Sequence, residues 1–228
     1  MNEIWILLRL ILTAALPVFI VFLWFKAKKP QITLPWFLVF LAAGFISLLV
    51  AALLQNFFPP LSRSGQDGPG AVFFNIFIRI ALVEELSRFV ILIFLLKEGS
   101  RRRNMDISFC GAMGLVAGLG FAMLESAFYG IVDTNVSLLR AFTAAPLHGA
   151  CGIRVGMAVF ILKQCPVRAL LLFISAVLIH GTYNMMIVNP ALPSILAVLI
   201  AFAAFFSPMS FTKLIGGDTE NIENSPES

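Results

Sequence analysis

Five ionisable side chains stand where a soluble protein would place none. Glu84 and Glu85 are adjacent in the middle of AVFFNIFIRIALVEELSRFVILIFLL, with Arg88 one helical turn further on. Glu125 lies within ISFCGAMGLVAGLGFAMLESAFYGIV, His148 within AAPLHGACGIRVG and His180 within VLIHGTYNMMIV. The chain has only these two histidines. Carboxylates and imidazoles without an activated Ser, Cys or Lys suit attack by water and not by a covalent nucleophile. A carboxylate taken out of water is a better proton acceptor, and histidine or asparagine can donate to an oxyanion. Alternatively, two histidines and a glutamate make the ligand set of a hydrolytic zinc site, with a second glutamate as base. Glu125, His148 and His180 are the candidate ligands. The two histidines fall on different segments, so no local spacing chooses between these mechanisms.

Helical spacing extends each position into a face. Phe121 and Tyr129 flank Glu125 at i−4 and i+4, Gly152 follows His148 by four residues, and Asn184 follows His180 by four. Arg88, Tyr129 and Asn184 are therefore the candidate supporting groups. Gly114 and Gly118 form a G-x-x-x-G pair that suits close helix packing. Pro146, just before His148, removes a backbone donor and predicts a kink. Arg154 reads as a structural or snorkelling cation.

The elements that must position these groups are membrane helices. Hydrophobic residues make up 60% of the 228-residue chain and charged residues 12%, and the mean hydropathy is +0.96, far outside the balance of a soluble domain. Apolar runs of about 20 residues, the length that crosses a bilayer, fall near 4–25, 34–58, 71–96, 107–132, 137–162, 168–188 and 191–211. The expected fold is an all-α polytopic bundle of about seven transmembrane helices. A single domain covers 1–212, and the polar, acidic stretch 213–228 is expected to be a disordered cytoplasmic tail. PPLSRSGQDGPG, after the second run, reads as an exposed loop.

Basic residues set the orientation. Lys26, Lys28, Lys29, Lys97, Arg101, Arg102, Arg103, Lys163, Arg168 and Lys213 follow odd-numbered runs, whereas Arg63 and Arg140 are the exceptions. The positive-inside rule then places the N-terminus outside and the C-terminus inside. These loops account for the pI near 9.2, so no nucleic-acid partner is needed. MNEIW lacks the basic n-region of a signal peptide, which makes the first run a retained span. Cys110, Cys151 and Cys165 show no paired spacing, against a disulfide framework.

The third run is costly. Its 18 Val, Ile, Leu and Phe residues each favour insertion by roughly 0.3–0.6 kcal/mol, while each buried charge opposes it by about 2.5–3.5 kcal/mol. Arg79, Glu84, Glu85 and Arg88 nearly cancel that gain, so the polar stripe must face a bundle interior. An i,i+4 ion pair of Glu84 with Arg88 would merely make the span tolerable. It would leave Glu85 unexplained, because adjacent residues point about 100° apart. At 1.5 Å per residue, Glu84 lies about 20 Å from the outer face, His148 about 16 Å, His180 about 12 Å and Glu125 about 10 Å. One cavity could therefore hold them all.

Glu84-Glu85-x-x-Arg88, Phe121-x-x-x-Glu125-x-x-x-Tyr129, His148-x-x-x-Gly152 and His180-x-x-x-Asn184 resemble, in this order, the motifs of the PrsW intramembrane proteases. The resemblance covers a core of about 70–190. The layout is also similar to that of type II CAAX-prenyl proteases and of the APH-1 subunit of γ-secretase. It implies site-1-type cleavage of a single-span, membrane-anchored protein, such as an anti-sigma factor, in the cytoplasmic membrane of a bacterium. It implies too that Glu84 and Glu85 are the essential pair, with Glu125, His148 and His180 completing the site and Asn184 as an oxyanion donor. By analogy with the CAAX enzymes, Glu84 is the base that activates water, with or without zinc. Two positions depart from the family pattern: Arg88 stands where lysine is usual, and Asn184 where aspartate can occur. A proton-coupled transporter or channel and a non-catalytic membrane scaffold are the competing functions. No pair of interrupted helices at matching positions favours a transporter, and a scaffold would tolerate Glu84→Gln.

Overall fold

The computed structural model describes residues 3–28, 32–58, 68–100, 105–132, 134–189, 192–193 and 195–207. The expected tail at 213–228 and most of the loop that begins at Pro59 lie outside the described residues. Among those described, seven helical stretches occur and no strand. They are α1 (Glu3–Lys28), α2 (Leu34–Gln55), α3 (residues 69–100), α4 (Ile107–Val132), α5 (Thr134–Ile161), α6 (Pro166–Val188) and α7 (residues 195–207). Proline in the first turn starts α2 and α6, where its missing N–H costs no hydrogen bond. Helix α5 runs through Pro146 without interruption.

Four helices are long and apolar enough to cross a membrane: Leu34–Gln55, Ile107–Ile131, Leu139–Ile161 and Pro166–Val188. Helices α1 and α7 contain shorter apolar stretches, Leu12–Ala27 and Ile195–Ser207. Exposed Leu, Phe, Ile and Trp side chains ring the outside of the bundle, including Phe19, Leu49, Phe94 and Leu171. That apolar exterior is the one a lipid solvent calls for. The chain is an integral membrane protein.

At the centre α4 packs along α5, and backbone approach sets the distance. A Cβ added at Gly118 would lie 2.1 Å from the carbonyl oxygen of His148, and one at Gly114 2.1 Å from that of Gly152. The G-x-x-x-G pair thus seats α5 against α4 at the level of His148. On its other side α4 touches α2, where Gly120 faces the backbone of Leu41.

Helix α3 is not α-helical throughout. A first turn, Pro69–Phe73, leads into a π-helical segment, Phe74–Leu82, and α-helix resumes at Val83–Ser100. The wider winding ends at Leu82, two residues before Glu84, and π segments recur at functional sites. Arg79 closes this stretch by donating to Asn75 Oδ1 at 3.1 Å and to the carbonyl of Gln55 at 3.3 Å. The segment packs on α6, where Gly181 leaves room for the ring of Phe77.

Candidate active site

The two adjacent glutamates diverge, as their 100° separation requires. Glu85 is fully buried and accepts a hydrogen bond from Arg88, one turn along α3. Its other oxygen, Oε1, lies 2.8 Å from His180 Nδ1 on α6. The helix-internal ion pair is therefore Glu85 with Arg88 at i,i+3, and not the i,i+4 pair that spacing suggests for Glu84. Glu84 points instead toward α2, where Gln55 Nε2 donates to Oε1 at 3.1 Å. Its Oε2 is buried, has no hydrogen-bond partner, and stands 3.6 Å from His180 Nε2.

Their partners fix how the imidazoles are protonated. A carboxylate only accepts and a guanidinium only donates. His180 therefore donates from Nδ1 to Glu85, and its Nε2 faces the second carboxylate, Glu84. His148, on α5, donates from Nε2 to Glu125 Oε2 at 2.9 Å. Its Nδ1 lies 3.5 Å from the Arg88 guanidinium. The two rings meet edge to face with centroids 4.8 Å apart. Phe121 forms one wall, 4.9 Å from the His148 ring and 4.6 Å beneath the Arg88 guanidinium.

Glu125 and Arg140 form the outer end of the cluster. They pair with each other and are 18% and 17% exposed, whereas Glu85, Arg88, His148 and His180 are sealed. Access to the site is therefore on the α4–α5 side. Arg140 also lies over the ring of Tyr129, at 4.2 Å.

The structure thus brings Glu84, Glu85, Arg88, Glu125, His148 and His180 into one contiguous network from four helices. Among the described residues, Tyr129 joins it through Arg140. Asn184 is half-buried one turn beyond His180, and no hydrogen bond among the described residues ties it to the cluster. Sequence reasoning missed Gln55 and Arg140. Gln55 had a faint signal, a lone amide closing an apolar run. Arg140 had a better one, since it breaks the charge asymmetry of the loops. Arg154 is the structural cation expected: it donates to Ala150 O at 2.9 Å, to Ala204 O at 3.0 Å and to Ser207 Oγ, tying α5 to α7.

The family model for the PrsW family intramembrane metalloprotease matches residues 33–208, most of the chain and every residue of this network. The chain belongs to the PrsW family. It is accordingly a peptide hydrolase of the membrane. No curated protein and no solved structure matches the chain.

A PrsW metalloprotease implies a metal ion, and the residues present fit one. Glu84, His148 and His180 each offer a ligand atom, and these atoms lie within 4.8 Å of one another. Glu84 Oε2 and His180 Nε2 face each other at 3.6 Å, and Glu84 Oε2 has no hydrogen-bond partner. Ligands at about 2.0–2.1 Å in a tetrahedral zinc site stand roughly 3.3 Å apart. Three carboxylates in the network face two guanidinium groups, which leaves a negative charge that a cation would balance. Glu85, holding Nδ1–H of His180, would be the outer carboxylate that orients His180 toward a bound metal. Among the described residues this is the one such group of three, and it contains Glu84 in place of Glu125.

Proposed function

We propose that this PrsW protein cleaves a single-span, membrane-anchored protein at a peptide bond in or beside the bilayer, with water as the nucleophile. The observation that carries the reading is Glu84 Oε2, among the described residues the one buried carboxylate oxygen of the network without a hydrogen-bond partner, facing His180 Nε2 at 3.6 Å. Water placed there lies between a carboxylate oxygen and an imidazole nitrogen.

Glu84, His148 and His180 would hold the metal ion. When bound, such an ion supplies a Lewis acid and makes water easier to ionise. The chain's own groups do the rest. Glu85 keeps the His180 ring oriented through Nδ1–H, and Arg88 balances Glu85 while its flat face rests on Phe121. Glu125 Oε2, hydrogen-bonded to His148 Nε2 at the exposed end, offers a proton leaving the site its way out. Asn184, one turn beyond His180, is the proposed donor to the carbonyl oxygen of a bound peptide. Without an ion, Glu84 Oε2 itself takes the proton of the attacking water.

In this reading the chain crosses the membrane seven times with its N-terminus outside, in the cytoplasmic membrane of a bacterium, and an anti-sigma factor is the expected kind of substrate. The loop charges support the orientation.

The test is incubation of purified wild type and Glu84→Gln with a panel of single-span membrane proteins, with and without a chelator, and with products read by mass spectrometry. Cleavage by wild type alone is the expected result. Loss of cleavage under chelation and recovery on adding zinc assign Glu84 as a ligand, and persistence assigns it as the base. Equal product from wild type and Glu84→Gln would overturn the proposal.

A further inference from the structure

Arg140 lies two helical turns before His148 on α5, about 12 Å along the axis, and Glu125 on α4 bridges the two. Glu125 Oε2 receives both the guanidinium of Arg140 and Nε2–H of His148. Glu125 is also the most exposed carboxylate of the network. With water within reach, a lone glutamate there would turn outward and release His148. Arg140 holds it inward.

Something must in turn hold Arg140, whose long side chain has many rotamers. The guanidinium carbon lies over the ring of Tyr129, 4.2 Å from its centroid. Tyr129 is 51% exposed, so its ring is not a core packing group. Its position at i+4 from Glu125 places the ring and the carboxylate on one face of α4, on either side of the guanidinium. Stacking on an aromatic face is a contact arginine makes well and lysine less well.

Building on the peptidase reading, we propose that Arg140 and Tyr129 are positioning residues: Tyr129 clamps Arg140 with its ring face, and Arg140 fixes Glu125 so that Glu125 holds the imidazole of His148. The phenol hydroxyl of Tyr129 has no part in this. The arrangement also gives a reason for an arginine that violates the charge asymmetry of the loops.

Two readouts test the relay. In the peptidase assay, R140Q should lower kcat by about 10- to 100-fold, the usual effect of removing an outer-sphere partner, with KM nearly unchanged. Y129F should behave as wild type and Y129L should resemble R140Q. Added guanidinium ion should restore part of the rate of R140A. The second readout needs no activity. The chain has only two histidines, so nitrogen-15 histidine labelling gives two imidazoles to follow by NMR. R140Q and Y129L should shift the ring signals of His148, leaving those of His180, held by Glu85, in place, and Y129F should shift neither.

A silent wild type with the His148-selective shift would count against the proposed class of substrate and keep the relay. Unchanged His148 signals in R140Q, equal displacement of both histidines, or a Y129F defect matching Y129L would each overturn the relay.

Discussion

The adjacent glutamates should respond in opposite ways to the same substitution. Glu85→Gln removes the charge that balances Arg88, and both partners are sealed from solvent, Glu85 at 0% and Arg88 at 1% exposure. Breaking a buried ion pair by neutralising one partner costs about 3–5 kcal/mol. The glutamine amide would also present its NH2 to one of two donors, Arg88 or His180 Nδ1–H. His180 can relieve that clash by moving its proton to Nε2, where Glu84 accepts it. The lower end, about 3 kcal/mol, is therefore expected, a shift of roughly a hundredfold in the unfolding equilibrium. Glu84→Gln differs. Its carbonyl keeps the bond from Gln55, and its NH2 falls where Oε2 now faces His180 Nε2. A new hydrogen bond there contributes about 0.5–1.5 kcal/mol, so this variant should be as stable as wild type or more so. Both variants should be inactive. The assay is unfolding in mixed micelles by titration with SDS, followed by helical circular dichroism, beside the cleavage assay. A stable Glu85→Gln with an unstable Glu84→Gln would refute the assigned partners and restore the i,i+4 pairing.

Three further substitutions probe separate parts of the structure. Gly118→Ala should destabilise by about 1–3 kcal/mol through overpacking, because the new Cβ meets the His148 carbonyl at 2.1 Å, while Gly70→Ala, with nothing within 4 Å, should be neutral; equal melting temperatures would refute the close approach of α4 to α5. Arg88→Lys keeps the charge but loses the flat contact with Phe121 and the reach to His148, so activity should fall by at least tenfold with insertion intact; full activity would reduce Arg88 to a counter-charge. Arg154→Met should loosen α7, seen as faster proteolysis within 195–207, and leave the turnover of intact molecules unchanged; a selective loss of turnover would place Arg154 in the chemistry.

Much of this protein follows from the one-dimensional pattern. Hydrocarbon solvates neither charges nor unpaired peptide groups, so long apolar runs had to be helices, and the few ionisable groups within them had to face inward and meet. That argument picks out Glu84, Glu85, Arg88, Glu125, His148 and His180 without reference to any fold, together with Arg79 and Arg154, which bond elsewhere. The helical period also placed Tyr129 with Glu125, and the glycines of α4 against a neighbour. What it could not supply is pairing across helices. Which glutamate takes Arg88 depends on what stands opposite each: His180 from α6 claims Glu85 together with Arg88, and Gln55 from α2 claims Glu84. Which carboxylate joins the two histidines likewise depends on the rotation of α3 relative to α5 and α6, and the π-helical winding of Phe74–Leu82 lies just before that carboxylate. Arg140 and Gln55 entered the site only in three dimensions, because Gln55 ends α2 and Arg140 lies in the second turn of α5, where the sequence shows no more than a polar residue near an interface. Membrane solvation acts on each residue separately and is legible along the chain; hydrogen bonding and ion pairing act between residues far apart in sequence, and only the packed bundle decides them.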